Sequence, residues 1–373
     1  MMSEKLRVGL VFGGASVEHE VSVVSARGVR QGLEAGPFEC VPIGVTEEGR
    51  WLTPELSAAF LSGERPRVEV PAGEPPATVL QIDPGRGDLV YLDAGGRQRA
   101  LRLEAIFPLI HGWGGEDGRI QGLLELAGIP YVGSGVLGSA VGMDKEISRS
   151  LFEHHGLPVA PWTAFRRGDY LRDPDGTRAR VGETLGFPVF VKPANGGSSV
   201  GVSRVDEPDA FAGAVETAMR CDPKIVVEKA LDVREIECAV TGNDEPEASV
   251  PGEILPSREF YDYASKYEDG TSVLVIPAEV PEAVAVEVRE VAVRAFRVLE
   301  LAGLARVDFF LDRKDGRVYL NEVNTLPGFT PISMFPKLWE ASGVDYPRLL
   351  ERLVRLALER SNEQRRRATR RGA

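Results

Sequence analysis

Residues 306–324 read Arg-Val-Asp-Phe-Phe-Leu-Asp-Arg-Lys-Asp-Gly-Arg-Val-Tyr-Leu-Asn-Glu-Val-Asn. Two runs rich in β-branched and aromatic residues flank Lys314-Asp315-Gly316, which is a favourable turn sequence, so this segment predicts a β-hairpin. With a three-residue loop and Gly316 in the left-handed conformation, the strand pairing can be counted outward from the turn. The opposed pairs are then Arg313 with Arg317, Asp308 with Glu322, and Arg306 with Asn324.

This register brings two carboxylates together on one face of the hairpin, because strand side chains alternate with a period of two. Opposed residues have Cβ atoms ~5 Å apart. Asp308 and Glu322 would repel each other at that distance unless a cation lies between them, and such oxygen ligands suit Mg²⁺. Asn324 adds an amide oxygen and Arg306 a fixed positive charge. The alternative is a hairpin face whose charges remain in water.

The N-terminal part has the pattern of an open α/β domain. Leu6–Phe12 is an apolar run that ends at Gly13-Gly14 and precedes a predicted helix at 20–33. Ala105–Ile110 repeats the pattern. Ligands of such domains gather at the carboxyl ends of the strands. Residues 62–100, rich in Pro and Gly, are interpreted as an insertion with weak strand signals near Val79 and Val90.

Further elements follow after residue 135. Helices are expected at 144–155, 284–301 and 346–360, and strands at 187–192, 225–228, 236–241, 306–311 and 317–323.

A glycine- and serine-rich loop at residues 196–201 follows Lys192 at a strand end. Glycines allow backbone N–H groups to point at an anion, and Lys192 would supply a positive charge, so the loop is a candidate phosphate site. A flexible hairpin loop is the alternative. No Lys is followed by Ser or Thr, which excludes a P-loop of the usual form. Lys145 and Lys266, taken alone, are compatible with ordinary surface lysines.

The composition limits the classes of function. The 373-residue chain carries a formal net charge of −12, which argues against nucleic-acid binding. No apolar run approaches the ~18 residues of a membrane helix. Three widely spaced cysteines, without a C-x-x-C pair or a signal peptide, favour a reducing, cytoplasmic location.

A set of motifs, in chain order, resembles the ATP-grasp superfamily and specifically its D-alanine–D-alanine ligase family. The resemblance spans nearly the whole chain. The segments that carry it are residues 13–22 (GGASVEHEVS), 111–118 (HGWGGEDG), 143–145 (MDK), 191–193 (VKP) with the Gly-Ser loop, 261–267 (YDYASKY), 306–308 (RVD) and 321–328 (NEVNTLPG).

The resemblance implies an α/β and α+β architecture. A Rossmann-like N-terminal domain, 1–140, would precede two ATP-grasp subdomains, 141–232 and 233–360. Outside these motifs, the arginine-rich segment 361–373 is expected from its composition to be a basic, disordered tail.

The resemblance also implies roles in binding ATP and metal. The ATP-binding residues would be Lys145, Lys192, Glu228, Lys229, Leu231, Glu235 and Lys266. Of these, Lys266 would reach the γ-phosphate from a loop that closes over the reaction. Asp308, Glu322 and Asn324 would hold two Mg²⁺ ions, with Mn²⁺ as a substitute.

The implied reaction joins two molecules of D-alanine through a D-alanyl phosphate, for peptidoglycan precursor synthesis. Glu18, hydrogen-bonded with Ser198 and Tyr267, would hold the first ammonium group. Arg306 and the N–H of Gly328 would stabilise the oxyanion. The other implied substrate contacts are His111, Ser333 and the backbone of Met334. A homodimer is implied, with no nucleic-acid or membrane partner.

Two alternatives remain at this stage. One is an ATP-grasp carboxylate–amine ligase with other substrates, which Glu18, His111, Tyr267 and Ser333 argue against. The other is a non-catalytic nucleotide-binding module, which could have lost a metal ligand or Arg306. The three metal ligands and Arg306 are nevertheless all present.

Tyr267 generates a prediction about the second substrate, because related enzymes that make D-alanyl-D-lactate depart from the Lys-Tyr pair found here at 266–267. We expect Tyr267→Phe to increase the yield of D-alanyl-D-lactate relative to D-alanyl-D-alanine when both acceptors compete. Product ratios from chromatography measure this. An unchanged ratio would remove Tyr267 from the specificity argument.

Overall fold

The computed structural model describes residues 5–63, 67–70, 81–83, 88–92, 96–255, 273–330 and 332–370. Lys266 and Tyr267 therefore lie outside the described residues, as does Val79. Among the described helices, none combines the length and apolar character needed to cross a bilayer.

The N-terminal elements form the expected α/β unit. They are β1 (Leu6–Gly13), α1 (His19–Glu34), β2 (Phe38–Val45), α2 (Pro54–Ser62), β3 (Gln81–Asp83), β4 (Asp88–Leu92), β5 (Gln98–Leu101), β6 (Ala105–Pro108) and α3 (Arg119–Ala127). Strands β2, β1 and β6 pair in parallel in that order. β1 is apolar because both of its faces are covered, as parallel strands require.

The region interpreted as an insertion contains a small sheet of its own. β3, β4 and β5 pair antiparallel, and Val90 lies in β4 as predicted. Leu89 and Leu101 join the apolar cluster beside Ile106 and Tyr131. This region is thus partly packed on the N-terminal domain.

The second group of elements forms a four-stranded antiparallel sheet. Its elements are α4 (Val136–Met143), α5 (Lys145–His154), β7 (Trp162–Arg166), α6 (Arg167–Arg172), α7 (Pro174–Thr184), β8 (Val189–Pro193), β9 (Ser203–Val205), α8 (Phe211–Met219) and β10 (Lys224–Lys229). The strand order is β7-β10-β8-β9. Asp144 caps α5 by accepting from the N–H groups of Glu146 and Ile147, both at 3.1 Å. The domain boundary expected at residue 140 falls inside α4.

The third group forms the largest sheet. Its elements are β11 (Val233–Gly242), β12 (Glu247–Ala248), β13 (Gly252–Leu255), β14 (Val273–Val275), α9 (Glu282–Val298), β15 (Gly303–Asp312), β16 (Val318–Asn324), α10 (Met334–Ala341) and α11 (Tyr346–Arg370). The strand order is β14-β13-β11-β15-β16, with β12 on β11. α9 covers one face of this sheet and packs through Val288, Ala292 and Phe296 on Ile236 and Val307.

The last helix contradicts the expectation of a disordered tail. α11 does not end at Arg360 but continues to Arg370. Arg360 and Arg365 donate to the carbonyls of Tyr131 and Gly128, each at 3.0 Å. Arg365 therefore has an acceptor on the N-terminal domain, and residues 361–370 are helical rather than disordered.

Helix α11 also packs closely against α1. A Cβ added at Gly32 would lie 2.4 Å from Cδ1 of the buried Leu350 and 2.9 Å from Cε1 of Tyr346. The absence of a side chain at residue 32 therefore allows the C-terminal helix to approach the first helix of the chain.

We predict that Gly32→Ala destabilises the protein by ~1–3 kcal/mol through overpacking, although Ala is the better helix former. Gly213→Ala is the matched control. Gly213 is also helical and exposed, and nothing lies within 4 Å of an added Cβ, so this change should stabilise by ~0.4–1 kcal/mol. Urea unfolding of both variants measures the two effects. Stabilisation by Gly32→Ala would contradict the tight α1–α11 contact.

Candidate active site

Three acidic residues lie side by side across the large sheet. Asp308 on β15 is opposite Glu322 on β16, and Arg306 is opposite Asn324, as the hairpin analysis predicted. On its other side, Asp308 is opposite Glu237 of β11. Glu237 was missed, because nothing in its local sequence shows which strand pairs with β15.

The loop of the hairpin differs from the expected one. Asp312, not Arg313, is opposite Arg317, with the N–H of Asp312 bonding to the Arg317 carbonyl at 2.9 Å. A continuous ladder from this turn would set Asp308 opposite Asn321. A β-bulge beside Phe309 removes the offset, since Phe309 pairs with Leu320 and Asp308 with Glu322. The three-residue loop was therefore wrong, and the bulge at Asn321 restores the predicted pairing.

Basic side chains contact all three acids. The Arg306 guanidinium contacts Asp308 through two hydrogen bonds of 2.7 Å, and its Nε lies 3.0 Å from Oε2 of Glu237. Lys145 Nζ lies 3.2 Å from Oε2 of Glu322. The repulsion among the three carboxylates is thus offset by two basic side chains, Arg306 from β15 and Lys145 from α5.

These acids border a pocket of about 580 Å³ between the second and third sheets. The pocket brings together most of the residues predicted to handle ATP. The predicted ATP-binding residues at its walls are Lys145, Lys192, Glu228, Lys229, Leu231 and Glu235, and Ser198, Asp308 and Glu322 border it as well. Phe190 and Phe310 also border it and supply apolar surface that the sequence analysis did not identify.

Glu228 was expected at an adenine site, and its carboxylate is buried between two basic groups. Oε1 lies 2.8 Å from an Arg149 nitrogen, and Oε2 accepts from Lys192 Nζ at 2.9 Å. Burial acts to raise the pKa of Glu228, but Arg149 and Lys192 act more strongly together, so the pKa lies below its ordinary value. The carboxylate is therefore ionised and holds Lys192 at the pocket wall.

Arg149 was not identified from the sequence, although a signal was present. It follows Lys145 by four residues on α5, so the two basic side chains lie on the same face of that helix. Only 1% of its side chain is exposed.

The Gly-Ser loop contacts both Lys145 and the N-terminal domain. Lys145 Nζ donates to the Gly196 carbonyl at 2.8 Å. The Ser198 hydroxyl donates to the Glu18 carboxylate, and Ser198 and Ser199 both have left-handed backbone conformations, with φ of 50° and 58°. Glu18 is at the N-cap of α1, but its side chain makes no capping hydrogen bond. Two members of the expected Glu18–Ser198–Tyr267 group are thus in contact.

His111 lies at the end of the β6 segment and is buried. Its Nδ1 is 3.0 Å from the carbonyl of Leu326, in the third group of elements. Burial lowers the pKa of His111, against the opposing effect of Glu18. A neutral ring that donates from Nδ1 leaves Nε2 as an acceptor, and within the described residues Nε2 has no hydrogen-bond partner.

Gly328 and Ser333 lie together before α10. A Cβ at Gly328 would be 3.0 Å from Ser333 Oγ, and that hydroxyl contacts the N–H and Oγ1 of Thr330 at 3.0 and 2.7 Å. The Met334 side chain is buried in the main core, which leaves only its backbone for a substrate.

Glu116 is a buried acid beside this site that the motifs contained but to which no role was given. Oε1 accepts from the Gly112 N–H at 2.8 Å. Burial first, and the charge of Glu18 second, raise the pKa of Glu116 from 4.5 to about 8. Glu116 is therefore protonated at neutral pH.

This pKa gives a prediction about stability. A carboxyl whose pKa is higher in the folded state binds more protons there than when unfolded, so its contribution falls as pH rises from 4.5 towards 8. In Glu116→Gln, which keeps an acceptor oxygen, the free energy of unfolding should decline less between pH 5 and pH 8 than in the wild type. Urea unfolding at both pH values measures this. Equal declines would contradict the raised pKa.

Comparison with known proteins places this geometry in a family. The profile described as "D-ala D-ala ligase N-terminus" matches residues 7–134, and "D-ala D-ala ligase C-terminus" matches residues 151–355. A D-alanine--D-alanine ligase of Geobacillus kaustophilus is 47% identical over 96% of this chain and 96% of its own length. One from Acetivibrio thermocellus is 44% identical over 97% and 98%.

Comparison with solved structures indicates the same family. The D-alanine-D-alanine ligase from Coxiella burnetii has a TM-score of 0.84 at 35% identity, covering 98% of each chain. The VanG D-Ala:D-Ser ligase from Enterococcus faecalis has a TM-score of 0.80 at 31% identity, covering 95% of this chain and 99% of its own. The fold is therefore the ATP-grasp fold, and the chain belongs to the D-alanine–D-alanine ligase family.

Proposed function

We propose that this chain joins two molecules of D-alanine with ATP, forming D-alanyl-D-alanine for peptidoglycan synthesis. The observation that carries the proposal is the pocket between the second and third sheets. Lysines proposed to bind phosphate, facing carboxylates and Ser198, which donates to Glu18, border this pocket, in a chain whose curated relatives carry the name of this activity.

The ATP side of the reaction is supported by the lysines at the pocket. Lys145 and Lys192 each contact a carboxylate, at 3.2 and 2.9 Å, and both residues border the cavity. They would bind the α- and β-phosphates, and Lys266 the γ-phosphate. Lys229 and Leu231 at the end of β10, with Glu228, would border adenine, and Glu235 would accept from the ribose hydroxyls.

The donor set on β15 and β16 fits a divalent cation. Asp308 and Glu322 provide facing carboxylates, and Asn324 provides an amide oxygen that already accepts from the Leu326 N–H at 3.0 Å. Within the described residues no group of three or more His, Cys, Asp or Glu side chains is arranged to hold a metal ion. Asp308 and Glu322 instead contact Arg306 and Lys145. Bound Mg²⁺ would offset charge on the phosphoryl oxygens as the group is transferred. Two Mg²⁺ ions, with Mn²⁺ as a substitute, are our finer proposal.

The chemistry then takes two steps. The carboxylate of the first D-alanine attacks the γ-phosphorus, so ADP leaves and a D-alanyl phosphate forms. The amine of the second D-alanine attacks the acyl carbon, loses a proton and displaces phosphate. Arg306 and the Gly328 N–H would stabilise the oxyanion between these events.

The residues around Glu18 would bind the amino acids. Glu18, held by Ser198 and in our proposal also by Tyr267, would bind the first ammonium group. His111, neutral and fixed by Leu326, offers Nε2 to orient the first substrate or to accept a proton from the second amine. Ser333 and the Met334 N–H at the start of α10 would bind the second carboxylate. These proposed amino-acid contacts, rather than the ATP contacts, argue against an ATP-grasp ligase with other substrates.

The setting of the enzyme is proposed from the family and composition. We propose a homodimer in the cytoplasm without nucleic-acid or membrane partners. D-Alanine is our proposed second substrate, although a D-Ala:D-Ser ligase is among the similar structures.

We predict that Asp308→Ala and Glu322→Ala each reduce ligase turnover by more than about a hundredfold while the chain stays folded, since each removes a direct ligand of the proposed cation. Phosphate release and dipeptide formation from ATP, Mg²⁺ and D-alanine measure turnover. Asp315→Ala is the control, because Asp315 is on the same hairpin but outside the pocket.

The same assay tests the function itself. Phosphate released only with another amino acid would select a ligase of different specificity. No phosphate release with any amino acid would indicate a non-catalytic nucleotide-binding protein. Retained turnover in Asp308→Ala would contradict the metal assignment.

A further inference from the structure

We propose that Arg149 is a positioning residue, which holds the bulge at Asn321 and thereby keeps Glu322 opposite Asp308 beside the phosphate-binding lysines. The inference rests on the proposed cation site. It assigns a role to a buried arginine outside the set of residues that would touch ATP or D-alanine.

The first observation is the contact between Arg149 and the bulge. Arg149 Nη2 donates to the Asn321 carbonyl oxygen at 3.1 Å and to the Asn321 side-chain oxygen at 3.2 Å. Asn321 is the extra residue on β16, since the ladder pairs Phe309 with Leu320 and Asp308 with Glu322. An extra residue in a bulge is left out of the regular ladder and needs other partners. Arg149 provides one.

The second observation is what the bulge achieves. Asp312 bonds to Arg317 at the turn, and a regular ladder counted from there would oppose Asp308 with Asn321. Glu322 would then lie on the other face of the hairpin, because side chains alternate. The bulge is thus the feature that gives the proposed cation its second carboxylate.

The third observation connects the bulge with the nucleotide side of the pocket. The same Arg149 nitrogen lies 2.8 Å from Glu228 Oε1, and Glu228 Oε2 accepts from Lys192. One turn earlier on α5, Lys145 contacts Glu322 itself. Helix α5 therefore contacts two successive residues of β16 through two basic side chains, and Arg149 joins them to the strand that carries Lys192's partner.

The burial of Arg149 favours a geometric role over a stabilising one. Its side chain is 1% exposed, and within the described residues its Nε and Nη1 atoms have no hydrogen-bond partner. Desolvating a charge is costly, so a buried ion pair contributes little to stability compared with an apolar substitute. Control of register is the best-attested use of such groups.

The test compares Arg149→Met, Arg149→Lys and the control Arg294→Met. Arg294 is exposed and, like Arg149, donates to a backbone carbonyl, that of His155 at 3.0 Å. ADP formation by each full-length variant is measured against free Mg²⁺ concentration at saturating ATP and D-alanine, and thermal melting is recorded in parallel.

We expect Arg149→Met to raise the Mg²⁺ concentration for half-maximal activity by roughly 10- to 100-fold, as loss of an outer-sphere contact does at metal sites. Arg149→Lys should show a smaller rise than Arg149→Met, because the lysine ammonium keeps the charge but not the length of the guanidinium. Arg294→Met should show the wild-type dependence. If Arg149→Met does not fold, Asn321→Ala carries the test with a smaller shift in the same direction.

The inference is overturned if the folded variants melt at a lower temperature but keep the wild-type Mg²⁺ dependence, since Arg149 then has only a structural role. This failure is distinct from failure of the cation site. If Asp308→Ala retains turnover, the proposed site is wrong. If Asp308→Ala loses turnover while Arg149→Met keeps its Mg²⁺ dependence, only the role of Arg149 is wrong.

Discussion

Electrostatic repulsion within one row of carboxylates sets the constraint on which the rest of the site depends. Glu237, Asp308 and Glu322 lie on three adjacent strands in opposed positions, where like charges destabilise a sheet. The chain meets this constraint with Arg306 from the same sheet and Lys145 from helix α5. Glu237 gives Arg306 a second anchor, so that the guanidinium keeps a partner if Asp308 turns towards a cation.

The same electrostatics connects separate parts of the chain. Lys145 contacts the Gly-Ser loop as well as Glu322, and that loop contacts Glu18 of the N-terminal domain through Ser198. His111 contacts the Leu326 carbonyl from the N-terminal side. Helix α11 supports this arrangement by packing on α1 and bonding to N-terminal carbonyls through Arg360 and Arg365. The proposed amino-acid and nucleotide sites are therefore linked by direct contacts.

Local patterns predicted much of this from the sequence. Apart from the end of the last helix, the strands and helices that were predicted were close to their observed bounds, because their periodicity and end signals are local, and the left-handed Gly316 was correct. The facing of Asp308 and Glu322 was also correct, although the loop count behind it was wrong by one residue. A bulge depends on contacts made by the folded chain, here those of Arg149, and hairpin counting does not include them.

Residues that act through distant partners were the ones missed. Glu237 is recognisable only once β11 pairs with β15, and Arg149 only once α5 packs beside β10 and β16. Glu116 lies in a motif, but its raised pKa follows from burial near Glu18. The contact of Arg365 in the basic end of the chain was missed because its acceptor, the Gly128 carbonyl, is far away in sequence. Long-range packing, rather than composition, decides each of these.

A crystal structure with Mg²⁺ and a non-hydrolysable ATP analogue would show whether the facing carboxylates hold the cation. We expect a cation shared by the carboxylates of Asp308 and Glu322 and by phosphate oxygens, with Arg306 still ion-paired with Glu237. Carboxylates that point apart, with the phosphate-bound cation held by other residues, would contradict it.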